Sequence, residues 1–125
     1  MRQNASRLLH VDDGLLLTHS VNDQGRHCQT LLRPHAVLDQ AVTGWLAQMY
    51  WLYYRYSQDK VFLRERAWPF LTGAMRVYEA MLEEYEGRLS LPLAPSPEFG
   101  AFHDQAEAGR DSSWQLACIH MLAEA

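Results

Sequence analysis

The spacing of apolar residues changes character at about residue 36. From there to about Ser57 they recur every three or four positions, the interval of a helix packed on one face. Tyr50, Trp51, Tyr53 and Tyr54 extend the apolar surface around much of this helix, which predicts a helix covered on both sides. The predicted contact stripe consists of Val37, Ala41, Trp45, Gln48 or Met49, Leu52 and Tyr56.

A second long helix is predicted from about Pro69 to Glu84. Asp59 is expected to cap a short segment before it, and Pro69 to begin it, because proline is tolerated in a first helical turn and not within a helix. Gly87 is expected to end it, beyond acidic residues that face water. Its predicted inward face is Leu71, Ala74, Met75, Tyr78, Met81 and Leu82.

Turn and proline signals predict loops on both sides of this helical hairpin. Residues 1–35 are predicted to be loop-rich, with a possible short strand at residues 15–18. Prolines 92, 95 and 97 predict a long loop within residues 87–109, and long ordered loops often carry function. A third helix is predicted in residues 110–125, capped by Asp111 or Ser112, with Trp114, Leu116 or Ala117, and His120 or Met121 on its packed face.

Composition narrows the class of function. A net charge of −4 without a run of basic residues argues against nucleic acid. Apolar runs are far shorter than the ~20 residues of a membrane helix, so no membrane span is expected. Cys28 and Cys118 have no metal-binding spacing and are expected to be buried thiols, and the six histidines lack paired spacing, so neither a metal nor a cofactor is predicted.

Several short motifs stand in a consistent order between residues 44 and 98. They are Trp45-Leu46-Ala47-Gln48-Met49-Tyr50-Trp51, then Asp59-Lys60-Val61-Phe62-Leu63, Ala67-Trp68-Pro69, and Ser96-Pro97-Glu98. In order and spacing this region resembles the catalytic domain of glycoside hydrolase family 95, the α-L-fucosidases. Thr18-His19-Ser20-Val21-Asn22-Asp23 is a weaker counterpart of a histidine- and asparagine-containing loop of that family.

The resemblance implies an all-α fold in which helical hairpins form part of an α/α six-hairpin toroid. It implies inverting cleavage of α-L-fucosides or related glycosides, with Glu98 as the general acid and with Trp45, His19 and Asp23 as substrate-binding residues. On a proline-stiffened loop near Phe99 and Phe102, a carboxyl group could have the raised pKa that a general acid needs.

The chain also departs from the family pattern. Met49 stands where many members have histidine, and Ser113 replaces an aspartate before Gln115. The asparagine-rich motif and the downstream aspartate that activate water in the family are not found in residues 1–125. The chain is therefore expected to be an incomplete barrel, a fragment of one catalytic domain that needs the rest of that domain for activity.

Each assignment has a simpler alternative. Glu98 could be a solvated loop carboxylate, as Asp104, Glu107 and Asp111 are expected to be. His19 could be an ordinary turn residue, and most of the aromatic residues could serve only as core. The competing hypotheses for the whole chain are a small helical protein-interaction module without enzymatic activity, and another α/α toroid enzyme with a different glycoside as substrate. The sequence gives no compartment.

Overall fold

A computed structural model describes residues 1–17, 41–95 and 108–125. The described chain is mostly helical, with helices α1 Arg2–Leu9, α2 Val42–Ser57, α3 Lys60–Phe62, α4 Trp68–Met81 and α5 Ser113–Glu124. Two short antiparallel sheets complete it: β1 Glu83–Tyr85 pairs with β2 Arg88–Ser90, and β3 Ala94–Pro95 pairs with β4 Ala108–Gly109. The mostly helical class agrees with the prediction from the sequence.

The core lies where α2, α4 and α5 pack on one another. Small residues on the inward side of the helices, Ala47, Ala67 and Ala74, are fully buried and let the helices come close together. Leu71 and Tyr78 of α4 fill the space between them, and the predicted inward face of α4 is confirmed apart from Leu82, which is exposed.

The predicted contact stripe of α2 was wrong within the helix, although Ala41, just before it, is buried as predicted. Trp45, Met49, Leu52 and Tyr56 are all exposed, Tyr56 by 88%, whereas the buried positions are Thr43, Gly44 and Ala47. Counting large apolar residues selected the wrong side, because the fully buried positions are small residues, and the larger Leu46 and Tyr50 beside them are only partly buried. The described start of the helix is Val42 and not Ala36, while its end at Ser57 is as predicted.

The predicted face of α5 is confirmed in part, because Trp114 is half-buried and Met121 packs against the core. Leu116, Ala117 and His120 are exposed instead, and the other packed positions are Gln115, Cys118, Ile119 and Leu122. These four have regular helical spacing, but a buried glutamine is not recognised by a hydrophobic pattern. Cys118 is only partly buried, and Cys28 lies outside the described residues.

Local capping chemistry was predicted correctly. Asp59 caps α3, its carboxylate accepting from the N–H groups of Val61 at 2.9 Å and Phe62 at 3.0 Å. Ser112 rather than Asp111 caps α5. Pro69 lies in the first turn of α4, but no break separates it from α3, because a π-helical turn at Leu63–Ala67 joins the two.

The end of α4 differs from the prediction. The helix stops at Met81, since Leu82 adopts extended backbone. Gly87 does not cap a helix. With Glu86 it forms the two-residue turn of the β1–β2 hairpin, and the φ angles of 50° and 75° are those of a type I′ turn.

The N-terminal region contains a helix where only loops were predicted. The turn signals begin at Asp12, and the eight residues of α1 before them contain neither glycine nor proline. Residues 15–17 are not a strand. They run across the helices, with the Leu15 N–H donating to Gly73 O at 2.9 Å and the Leu17 N–H to Thr43 Oγ1 at 2.9 Å.

Candidate functional site

Three of the four predicted site residues, Glu98, His19 and Asp23, lie outside the described residues. Trp45 is described. It lies in the first turn of α2 on the side away from the core, and 47% of its surface is exposed. The structure therefore places one predicted site residue and does not bring any two of them together.

Trp45 contacts a second tryptophan, Trp114, which the sequence predicts only for a packed helix face. The rings of Trp45 and Trp114 have centroids 5.1 Å apart and meet at 82°, the edge-to-face geometry that aromatic pairs prefer. Trp114 is in the first turn of α5. The N-terminal ends of two helices that are distant in sequence thus meet at a tryptophan pair.

A cavity of about 190 Å³ opens beside this pair, between α2 and α5. The Trp114 ring nitrogen is buried and has no hydrogen-bond partner among the described residues. Aromatic faces with a few polar groups are typical of small-molecule sites. The lining residues are Trp45, Gln48, Trp114, Ala117, Cys118 and Met121.

The close approach of α2 and α5 is what forms this cavity. A Cβ atom on Gly44 would lie 2.5 Å from the Cys118 Cβ and 2.7 Å from the Tyr78 hydroxyl. On the neighbouring turn the Cys118 thiol donates to Ala41 O at 3.7 Å. Only glycine fits at position 44 without a shift of its neighbours, and Trp45 of the tryptophan pair is the next residue in α2.

A wider depression lies along α1 and has a different character. It measures about 390 Å³ and is lined by Arg2, Gln3, Ser6, Arg7 and Asp12. The Ser6 hydroxyl donates a hydrogen bond of 2.7 Å to the Asp12 carboxylate. No aromatic ring is among the lining residues. The Trp45–Trp114 cavity is therefore the better candidate for a sugar ring.

The strands β3 and β4 bracket residues 96–107, the stretch that includes Glu98. Ala94 is opposite Gly109 and Pro95 opposite Ala108, so this stretch leaves and rejoins the described structure at adjacent positions. We call the paired strands β3 and β4 the stem.

The stem is anchored by charged residues that follow it. Asp111 accepts from the Leu91 N–H at 2.7 Å and from the Ser90 hydroxyl at 2.8 Å, and Ser90 and Leu91 are completely buried. Arg110 donates to Glu83 and to Leu91 O, and its guanidinium lies 4.1 Å from the centre of the Tyr85 ring.

These contacts stabilise the ionised form of Asp111. The hydrogen bond from the Leu91 N–H lowers the pKa of its carboxyl group most, followed by the bond from Ser90, with Arg88 and Arg110 adding a favourable charge. The expectation of a solvated carboxylate was wrong for Asp111, whose side chain is only 20% exposed. An acidic residue in a loop gives no sequence signal for such an anchor, because its partners lie about twenty positions earlier.

Within the described ranges there is no group of three or more residues that could hold a metal ion. None of the helices in those ranges is both long enough and apolar enough to cross a membrane.

The model of the glycosyl hydrolase family 95 catalytic domain matches residues 1–124. The chain belongs to this family, which makes the protein a glycoside hydrolase with a carbohydrate substrate. Neither a curated protein nor a solved structure matches it.

Proposed function

We propose that the protein is an inverting glycoside hydrolase that cleaves α-L-fucosides or related glycosides, with Glu98 as the general acid. The observation that carries the proposal is the family match across residues 1–124, which includes the Ser96-Pro97-Glu98 motif. Cleavage of a glycosidic bond requires a proton on the leaving oxygen, and a carboxylic acid with a raised pKa can deliver it.

The stem supports this assignment. A general acid must be held close to the leaving oxygen, since small errors in position are costly to catalysis. Glu98 follows Pro95 of β3 by three positions, and β3 is paired with β4 and joined to the core through Leu91. The two described ends of the stretch that contains Glu98 are therefore paired with each other next to the core.

In this proposal the Trp45–Trp114 cavity contributes to sugar binding. The Trp45 ring offers an apolar face and the Gln48 side chain a polar group, which together match the mixed surface of a sugar ring. His19 and Asp23 complete the proposed substrate-binding set, on the strength of the family resemblance alone.

The proposed architecture is part of an α/α six-hairpin toroid, with the rest of the catalytic domain as its partner. Three large side chains of α2, those of Met49, Leu52 and Tyr53, are between 38% and 53% exposed. Contiguous apolar surface of this kind usually marks a contact. Neighbouring helices of a toroid would cover it, and an inner helix would then be packed on both sides.

The decisive experiment replaces Glu98 with Gln in the complete enzyme. This variant keeps the shape of the side chain and removes the proton, and general acid catalysis contributes about 10²–10⁴-fold. The loss should appear in kcat, with little change in KM, and should be far smaller for a nitrophenyl glycoside, whose leaving group needs little protonation.

Glu107→Gln and Asp104→Asn are the matched controls from the same stretch, and both should retain near-parental kcat. The configuration of the first sugar released, measured by NMR, tests the inverting stereochemistry separately. Hydrolysis of a poorly activated fucoside by Glu98→Gln at the parental rate would remove Glu98 from the mechanism.

A further inference from the structure

The ring of Trp45 lies at the surface of α2 and packs against one other aromatic ring of the described chain. The preceding residues Thr43 and Gly44 are buried, whereas nearly half of the Trp45 surface is exposed. Within the described ranges, the ring that it meets is that of Trp114. An indole ring can turn about two side-chain bonds, so the contact with Trp114 restricts the orientations open to Trp45.

Trp114 is itself held in place by the helix that carries it. It lies in the first turn of α5, two positions after the cap Ser112 and next to Gln115, which is 1% exposed. The ring nitrogen of Trp114 is buried. Further along the same helix, Leu122 belongs to the main core cluster. A ring fixed by the core thus meets a ring that is more exposed.

The edge-to-face arrangement leaves Trp45 free to receive a ligand. Because the rings meet at 82°, the edge of one ring lies against the face of the other. Whichever ring supplies the edge, at least one face of Trp45 is not covered by Trp114. Both rings line the cavity of about 190 Å³, together with Gln48. A sugar ring that enters this cavity would meet a Trp45 face that is already oriented.

We propose that Trp114 is a positioning residue for substrate binding, holding the ring of Trp45 in the orientation in which it stacks on the sugar. The proposal rests on the proposed role of this cavity in sugar binding. A ring that is oriented in advance loses less conformational entropy when the sugar binds. Trp114 therefore strengthens binding and takes no part in bond cleavage.

The test measures kcat and KM of Trp114→Ala in the complete enzyme, with the nitrophenyl glycoside that the parent hydrolyses best. Ordering one side chain on binding weakens affinity about 2–10-fold, so KM should rise by that factor. The inhibition constant of the free sugar should rise equally, because it reports binding alone. kcat should stay near the parental value, since the contact contributes equally before and during bond cleavage. An unchanged KM and inhibition constant would overturn the proposal.

Two further variants separate the ring contact from the filling of space. Trp114→Phe keeps an aromatic ring and removes an N–H that has no hydrogen-bond partner among the described residues, so it should recover most of the parental KM. Trp114→Leu fills space without a ring and should raise KM as alanine does, and it carries the same test if the alanine variant does not fold. If leucine restores KM as well as phenylalanine, the ring contact is not the cause.

Leu122→Ala is the matched control for lower stability. Leu122 is in the same helix and is buried in the main core cluster, but it does not line the cavity. Truncating a buried leucine destabilises a protein, which should reduce the fraction of folded enzyme and leave KM unchanged. A rise in KM equal to that of Trp114→Ala would show that loosening α5 is sufficient, and the positioning role would fail.

Trp45→Ala, alone and combined with Trp114→Ala, separates this proposal from the proposed role of the cavity. If Trp114 acts through Trp45, replacing it should have no further effect on KM once Trp45 is absent. An equal effect of Trp114→Ala in both backgrounds would exclude the positioning role and leave sugar binding by Trp45 intact. If Trp45→Ala has the parental KM, sugar binding in this cavity fails and the positioning role fails with it.

Discussion

Replacing Gly44 with Ala should destabilise the protein although alanine is the better helix former. The added Cβ would lie 2.5 Å from the Cys118 Cβ and 2.7 Å from the Tyr78 hydroxyl. A Cβ is fixed to its backbone, so this clash cannot be relieved by rotating a side chain. Either α5 must move away from α2, or the cavity between them must change shape.

The magnitude follows from two opposing effects. Alanine gains about 1 kcal/mol over glycine in a helix interior, and overpacking of a tight core costs about 1–3 kcal/mol. Contact with a backbone-fixed atom puts the cost at the upper end, which gives a net loss of about 2 kcal/mol in the free energy of unfolding. With a urea m-value of about 1–3 kcal/mol per molar, the midpoint should fall by about 1 M.

Urea unfolding followed by circular dichroism measures this, with two glycine controls. Gly73→Ala meets the Leu15 side chain at 2.7 Å, and since that side chain can rotate, the loss should be smaller. At Gly109 an added Cβ meets nothing within 4 Å, so Gly109→Ala should be close to neutral. If Gly44→Ala is as stable as the parent, the close approach of α2 and α5 is wrong.

Two further predictions concern hydrogen-bonded carboxylates. Asp59→Ala should lower the free energy of unfolding by about 1 kcal/mol, as loss of a helix N-cap does, whereas Asp59→Asn, which keeps an acceptor, should lose much less in the same urea assay. The ionised Asp111 should make the free energy of unfolding depend on pH, because the pKa of its carboxyl group is lowered in the folded protein. Its contribution is fully present above the ordinary aspartate pKa of about 4 and is lost as the pH falls from there through the lowered pKa. The difference between the urea midpoints of the parent and of Asp111→Asn should therefore become smaller below about pH 4. A difference that stays constant with pH would contradict the ionised state of Asp111.

The features that the sequence predicted well depend on local chemistry. A carboxylate or hydroxyl that caps a helix bonds to N–H groups within three positions, so the caps at Asp59 and Ser112 can be recognised from neighbouring residues. The same is true of Pro69 in a first turn. The family motifs are also short runs of residues, and the match over residues 1–124 agrees with them.

The features that were missed depend on contacts between distant parts of the chain. Thr43 is buried because its hydroxyl accepts from the Leu17 N–H, and Gln115 lies in the core at 1% exposure. A hydrophobic pattern counts neither residue as core, so the predicted face of α2 lay largely on the exposed side, and that of α5 combined the half-buried Trp114 and Met121 with exposed residues. The Trp45–Trp114 pair and the Asp111 anchor join positions far apart in sequence, and no local spacing indicates them.

The π-helical turn at Leu63–Ala67 has a consequence for comparing relatives of this protein. Its widened turn, in which the Trp68 N–H bonds to Leu63 O, contains one residue more than an α-helical turn would. Each residue advances a helix by about 100° around its axis. In a relative that lacks one residue of this turn, the residue corresponding to Phe62 would therefore lie on a different side of the helix axis, while α4 kept its position. In a sequence alignment, a single-residue gap between Asp59 and Pro69 would therefore indicate a regular helix at this point and a different neighbour for the start of α3.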